Sequence, residues 1–199
     1  MKLHRSLLVF GLMSASLVPL AKRVRAKDEP VSAQQIVSDK RDGQHHFDFL
    51  EGSWKFHLKR LKQRLVGSNE WVEFDGTTLC RKLLDGRAEV EEMNVDSTDK
   101  HTHIQGLALR LYNPQSHQWS IYWVNAADGV LEPTPMVGQF INGRGEFYNQ
   151  QVYDGRAVYA RFVWSAVTTN SPHFEQSFST DGGKTWEVNW ITEQTKRKP

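Results

Sequence analysis

The sequence contains very little cysteine: Cys80 is the only one among 199 residues. A single thiol excludes an intrachain disulfide, so stability must come from a buried core, which a chain of this length can form. We expect Cys80 to be a small buried side chain within residues 77–83. An intermolecular bridge and a reactive thiol are the alternatives.

The sequence also lacks the common motifs of catalysis. It has no Gly-x-Ser-x-Gly, no glycine-rich loop that could hold a phosphate, and no Cys and His pair suggested by position. His101 and His103 have the spacing of metal ligands, but no third ligand follows from the pattern and both lie in a polar segment. We therefore expect solvated loop histidines and no metal.

The first 26 residues have the pattern of a secretory signal peptide. Lys2 and Arg5 precede an apolar stretch at residues 6–20, which is short for a membrane span, and Val24-Arg25-Ala26 offers a cleavage site. We predict cleavage after Ala26, an exported protein in the periplasm or medium, and no stable membrane span afterwards. Cleavage after residue 21 and an uncleaved anchor are the alternatives.

The basic charge of the whole chain comes from that segment. Residues 1–26 hold five of the 25 basic residues and none of the 23 acidic ones, so their removal leaves a net charge of about −3. The balance therefore gives no sign of nucleic-acid binding. The basic run at residues 59–64 alternates with leucines and is typical of a solvated strand face.

Tight-turn signals recur along the rest of the chain. Six Asp-Gly pairs and one Asn-Gly pair lie between residues 42 and 183. Such pairs readily adopt the positive φ angles of hairpin turns, and most of them separate runs rich in β-branched and aromatic residues. The pattern predicts strands at 54–65, 70–75, 77–84, 87–95, 104–112, 118–124, 136–142, 145–153, 156–165, 173–180 and 185–194.

Ten or eleven short strands joined by hairpins predict an all-β fold. We expect a single up-and-down antiparallel barrel of about ten strands over residues 47–199, because closure removes exposed sheet edges. A two-sheet sandwich is the alternative, since the connections 96–103 and 125–135 could be crossovers. Residues 27–46 are polar, and we predict a flexible N-terminal arm with a short helix at 31–37.

The start of the first strand resembles that of calycins, the superfamily of lipocalins, fatty-acid-binding proteins and nitrobindins. The shared pattern is Gly-x-Trp, here Gly52-Ser53-Trp54, with a basic residue late in the chain lying across the indole. The resemblance implies that Lys196 or Arg197 covers Trp54 and closes the barrel base through a cation–π contact.

Three later segments resemble bacterial secreted proteins that are classed as domains of unknown function within the calycin-like group. They are residues 106–114, 119–123 and 178–186. This resemblance implies a barrel and no particular activity. Nitrobindins hold haem by a His near the end of their barrel; because residues 185–195 contain no His, we expect no cofactor.

The segment 178–186 also matches the Asp-box of sialidase-type propellers. A propeller needs at least four blades, and the chain has one copy. We therefore expect a stable hairpin in which Asp181 bonds the backbone amides of the turn and Trp186 packs beneath it.

Both faces of the central strands are bulky, which leaves two interpretations of the interior. In one, the apolar phase, meaning the strand face that carries apolar side chains, fills the barrel. In the other, the opposite face, which carries Tyr and Arg, lines a cavity for an amphipathic ligand. For Arg110 and Arg161, an internal ion pair with Glu91 or Glu175 is the alternative to ligand binding. The candidate ligand-binding residues are Arg110, Tyr112, Tyr122, Tyr148, Arg161 and Glu175.

We expect an exported barrel, monomeric or homodimeric, that binds a small and largely apolar molecule with a polar end. One alternative is a barrel isomerase, cyclase or hydrolase that uses a buried carboxylate from Glu91, Glu92 or Glu175. The other is a protein-interaction module whose outer aromatic face is the working surface.

Overall fold

The chain forms a closed ten-stranded barrel. The computed structural model describes residues 42–168 and 170–197. Every strand pairs antiparallel with its neighbour in sequence, and β1 closes the barrel on β10. The predicted all-β, up-and-down barrel is confirmed and the sandwich alternative is wrong. The strands are β1 Gly52–Leu61, β2 Trp71–Leu83, β3 Ala88–Ser97, β4 His103–Asn113, β5 Gln118–Asn125, β6 Met136–Ile141, β7 Arg144–Tyr153, β8 Arg156–Ser165, β9 His173–Ser179 and β10 Glu187–Lys196.

One predicted hairpin turn is absent. Asp75-Gly76 was expected to separate two strands, but β2 continues through it from Trp71 to Leu83. The reason for the glycine is close packing, because a Cβ at Gly76 would lie 2.1 Å from the backbone oxygen of Asn94 on β3. Asn142-Gly143 is a true hairpin turn between β6 and β7, with φ of 51° and 78°.

The N-terminal end of the described chain closes one end of the barrel, which we call the base. Phe47 and Leu50 are fully buried there, and residues 48–50 form a 3₁₀ helix. The Trp119 Nε1 donates to the Gly43 backbone oxygen at 2.9 Å. The predicted signal peptide and residues 27–41 of the predicted arm lie outside the described residues. Residues 42–46, the end of the predicted arm, contact the base, where Gly43 is buried.

The start of β1 is held at the base as well. Trp54 is buried, and its Nε1 donates to the Leu50 backbone oxygen at 2.7 Å. Lys196 Nζ lies 5.1 Å from the centre of the Trp54 ring. Gly52 has a φ of 107°, which suits glycine at the entry to β1. Arg197, the other candidate cation, instead donates its backbone N–H to the Ser53 oxygen at 2.9 Å.

The opposite end of the barrel is its mouth. Because the strands alternate in direction, the loops 62–70 and 126–135 and the turn 154–155 all lie at this end. The Leu65 N–H donates to the Glu187 carboxylate at 2.8 Å, which draws the first of these loops towards β10. A second 3₁₀ helix spans Leu84–Gly86, and neither 3₁₀ helix in the described part of the chain is long and apolar enough to cross a membrane.

Candidate functional site

The barrel encloses a cavity of about 760 Å³. It extends from the mouth, where Arg64 and Glu132 line it, towards the base, where Arg110 lines it. A volume of this size lies within the range of small-molecule sites, roughly 300–1,000 Å³. The interior is therefore incompletely filled, and the unfilled space is large enough for a ligand.

One feature of the cavity is its aromatic lining, which we call the aromatic wall. Phe162 and Phe174 meet edge to face at 5.1 Å between ring centres, and Trp164 lies 4.7 Å from Phe174. Gly106 leaves room for Trp123, since a Cβ at Gly106 would lie 2.2 Å from the indole. The members of the wall are Phe56, Trp123, Phe162, Trp164, Phe174, Phe178 and Trp190.

Five polar side chains form the second feature, which we call the polar wall. All five line the cavity and are more than nine-tenths buried. Each has at least one buried polar atom with no hydrogen-bond partner among the described residues. Such orphan atoms are costly and uncommon in folded proteins, so a group of them in residues that line one cavity indicates a site. The members are Thr78, Glu91, Arg110, Thr192 and Gln194.

The polar wall occupies one side of the barrel. Its residues come from β2, β3, β4 and β10, which with β1 form a continuous arc. In an up-and-down barrel β4 and β10 both run towards the base, so Arg110 and Gln194, near the ends of these strands, lie deep in the cavity. A ligand entering through the mouth would meet the polar wall last.

Arg110 is the centre of the polar wall. Its guanidinium is 3% exposed and forms an ion pair with Glu91, while Nη1 lies 3.8 Å from a Glu89 carboxylate oxygen. The guanidinium carbon also lies 5.0 Å from the ring centre of Phe47 and 5.7 Å from that of Trp164. The Arg110 Nε and Nη1 atoms have no hydrogen-bond partner in the described structure.

Burial perturbs two groups behind this wall. It raises the pKa of Glu89 to about 7, although the positive charge of Arg110 opposes the shift. It also raises the pKa of the Cys80 thiol, which donates to Glu89 at 3.7 Å. Glu91 lines the cavity, whereas Glu89 is not among its described lining residues. Cys80 is 1% exposed, consistent with the expectation of a small buried side chain.

The structure does not bring the six predicted ligand-binding residues together at one cavity. Arg110 and Tyr122 line the cavity, although Tyr122 belongs to the strand phase opposite to Ile121 and Trp123. Tyr112 points inward but lies in the base, where its hydroxyl donates to the Asp42 backbone oxygen.

The other three candidates lie on the outer face. Tyr148 is 41% exposed and donates to Glu146 at 2.6 Å, and Glu175 contacts His173 at 3.0 Å. Arg161 lies over the outer Trp186 ring, 4.4 Å from its centre. The inward face was misassigned because Trp186 lies on the outside of the sheet, where it packs on Arg161 and lies 6.2 Å from the Tyr148 ring, so their bulk did not require an interior.

The hairpin that carries Trp186 has the predicted form. Asp181 accepts hydrogen bonds from the backbone N–H groups of Lys184 and Thr185 at 3.0 and 2.9 Å. The bond from the Thr185 hydroxyl, followed by the backbone bond from Thr185, lowers the pKa of Asp181. The Trp186 Nε1 donates to the Gly183 oxygen at 3.0 Å. The segment is a structural turn on the outside of the barrel.

The predicted histidine pair lies at an exposed loop. His103 Nδ1 lies 2.9 Å from Asp96. In residues 42–168 and 170–197, no group of three His, Cys, Asp or Glu side chains is placed to hold a metal ion.

Sequence reasoning missed Thr192 and Gln194 of the polar wall. A signal for them was present, because Lys196 was proposed to cover the buried Trp54. If Lys196 lies on the inner phase of the last strand, counting back in steps of two gives Gln194, Thr192 and Trp190. A bulge between Val188 and Trp190 ends this register towards the mouth.

Comparisons with known proteins give the fold but no family. No protein-family model matches the chain, and no curated protein matches it. Among solved structures, the chain is similar to the S-type phycobiliprotein lyase CPES from Guillardia theta, at 14% sequence identity and a TM-score of 0.54. The alignment covers 80% of this chain and 97% of the lyase. At this identity the likeness shows the fold alone.

Proposed function

We propose that this protein binds one small molecule inside its barrel, with a largely apolar body and a polar end. The observation that carries the proposal is that the aromatic wall and the polar wall line the same cavity of about 760 Å³. The aromatic wall offers apolar surface for the body, and orphan atoms deep in the cavity offer partners for the polar end. The calycin-like fold is compatible with this use but does not establish it.

A cavity-filling variant tests the proposal. Ala108 lines the cavity, and its neighbour Leu107 lies on the opposite face of the same strand. We expect wild type to bind pyrene, an apolar fluorescent probe, saturably and with one-to-one stoichiometry. Ala108→Phe places a ring in the cavity and should weaken binding at least roughly tenfold, or about 1.4 kcal/mol. Leu107→Phe adds a ring outside and should leave binding unchanged.

The outcomes separate cleanly in a fluorescence titration. No saturable binding to wild type, or equal weakening by the inner and outer variants, would contradict binding inside the barrel. Urea unfolding of both variants checks that each retains its fold, and the inner one should do so because its ring enters unfilled space.

The acid–base alternative has two observations in its favour, because burial raises the pKa of Glu89 and also that of Glu132. Glu89, however, contacts Cys80 and Arg110, and the carboxylates that line the cavity are Glu91 and, at the mouth, Glu132. A binding role therefore fits the geometry better than proton transfer by Glu89 to a cavity ligand.

We also propose that the protein is exported and that cleavage after Ala26 leaves Lys27 as the first residue. The support is the charged start, apolar stretch and cleavage site in the sequence. Segments 106–114, 119–123 and 178–186 likewise support a place among bacterial secreted calycin-like proteins. N-terminal sequencing of the protein from its native cells tests the cleavage, and a chain that retains residues 1–26 would refute it.

A further inference from the structure

The polar wall contains free hydrogen-bond donors and free acceptors side by side. The unpartnered donors are Nε and Nη1 of Arg110 and Nε2 of Gln194. The unpartnered acceptors are Oε1 of Glu91 and Oε1 of Gln194, and the Thr78 and Thr192 hydroxyls can act in either role. A ligand group that only accepts, or only donates, would leave part of this wall unsatisfied.

The wall also has no net positive charge. The positive charge of Arg110 is balanced by Glu91, with which it is paired. Glu89 lies 3.8 Å from Arg110 and has a pKa of about 7, so at neutral pH it adds negative charge or none. A buried ligand carboxylate would lack a counter-charge of its own, and a ligand ammonium, which has no acceptor, would leave the free donors of Arg110 unpaired; both arrangements are costly.

We propose that the polar end of the ligand is an uncharged group that both donates and accepts hydrogen bonds, such as an amide, lactam or urea. Its carbonyl oxygen would accept from Arg110 or Gln194, and its N–H would donate to Glu91 or Gln194. This inference rests on the proposed function, because it assigns the chemistry of the end that the polar wall holds.

Four probes with one apolar body test the inference on the full chain. They are pyrene, pyrenebutanamide, pyrenebutanoate and pyrenebutylamine, each titrated at neutral pH and followed by fluorescence. We expect the amide to bind at least roughly tenfold more tightly than the acid or the amine. Tightest binding of the acid would show that Arg110 is available to an anion and would overturn the inference. Equal affinities for the three headed probes would show that the polar wall does not select the head group, and would also overturn it.

Variants of the polar wall identify the groups that act. Gln194→Leu keeps the approximate size of the side chain and removes the amide oxygen and nitrogen, so it should weaken the amide probe roughly tenfold relative to pyrene. Thr192→Val is a second, nearly isosteric change and should weaken the amide several-fold. Gln139→Leu is the matched control, because Gln139 is exposed on the outer face, and it should change neither affinity.

The failure of this inference differs from the failure of the proposed function. If pyrene binds and Gln194→Leu leaves the preference for the amide intact, the head-group assignment is overturned while binding in the barrel stands. If neither pyrene nor any headed probe binds wild type, both are overturned.

Discussion

The ion pair of Arg110 and Glu91 provides the sharpest prediction about stability. Both side chains are almost fully buried, at 3% and 6% exposure. Arg110→Met keeps an apolar side chain of similar length but leaves Glu91, with Glu89 behind it, without a positive partner. Breaking a buried pair in this way costs roughly 3–5 kcal/mol, because one charge stays buried and uncompensated. We therefore expect Arg110→Met to lower the free energy of unfolding by about that amount.

Urea unfolding at neutral pH measures the effect. The double variant Arg110→Met with Glu91→Leu removes both charges and should recover most of the loss, since apolar replacement of a whole buried pair is often neutral or stabilising. Arg161→Met is the matched control. Because the Arg161 guanidinium stacks on the outer Trp186, its loss should lower the free energy of unfolding by less than about 1 kcal/mol. A loss below about 1 kcal/mol for Arg110→Met, or no recovery in the double variant, would refute the reasoning.

Three other predictions concern the groups around the cavity. Burial raises the pKa of Glu89 from 4.5 to about 7, so protonated Glu89 favours the folded state at low pH. This contribution to the free energy of unfolding, up to about 3 kcal/mol, should be lost as pH rises from 4.5 through 7. Glu89→Gln should remove this part of the pH dependence in unfolding titrations. Cys80 should resist iodoacetamide in the folded protein and react in urea, as measured by mass spectrometry; rapid labelling without urea would contradict its burial. Trp54→Ala should cost roughly 3–5 kcal/mol of unfolding free energy and Lys196→Met less than about 1, and equal stability of both variants and wild type would contradict their role in closing the base.

Much of the fold could be predicted from the sequence because turn chemistry is local. Asn142-Gly143 turns where the pair predicts, since the residues alone decide whether positive φ is accessible. Asp75-Gly76 misled for the opposite reason: its glycine is required by contact with β3, a strand some twenty residues away in sequence. A glycine that makes a turn and one that makes room for a neighbour look the same in a single sequence.

The site was harder to predict because the sequence of a strand does not show which of its two faces points into the barrel. On β4 the inner phase carries Arg110, and on β8 it carries Phe162, while Arg161 lies outside. Size and polarity alone did not separate these faces, because Arg161 packs on the Trp186 ring at the outer surface. A long-range contact, Lys196 over Trp54, fixes the phase of β10 and could have located Gln194.

The most direct test of binding inside the barrel is a crystal structure of the protein with pyrene. Density for the probe should lie within the cavity, against Phe162, Phe174 and Trp190 of the aromatic wall. Pyrene bound instead on the outer face, at Trp186 and Tyr148, with the cavity free of the probe, would contradict the account.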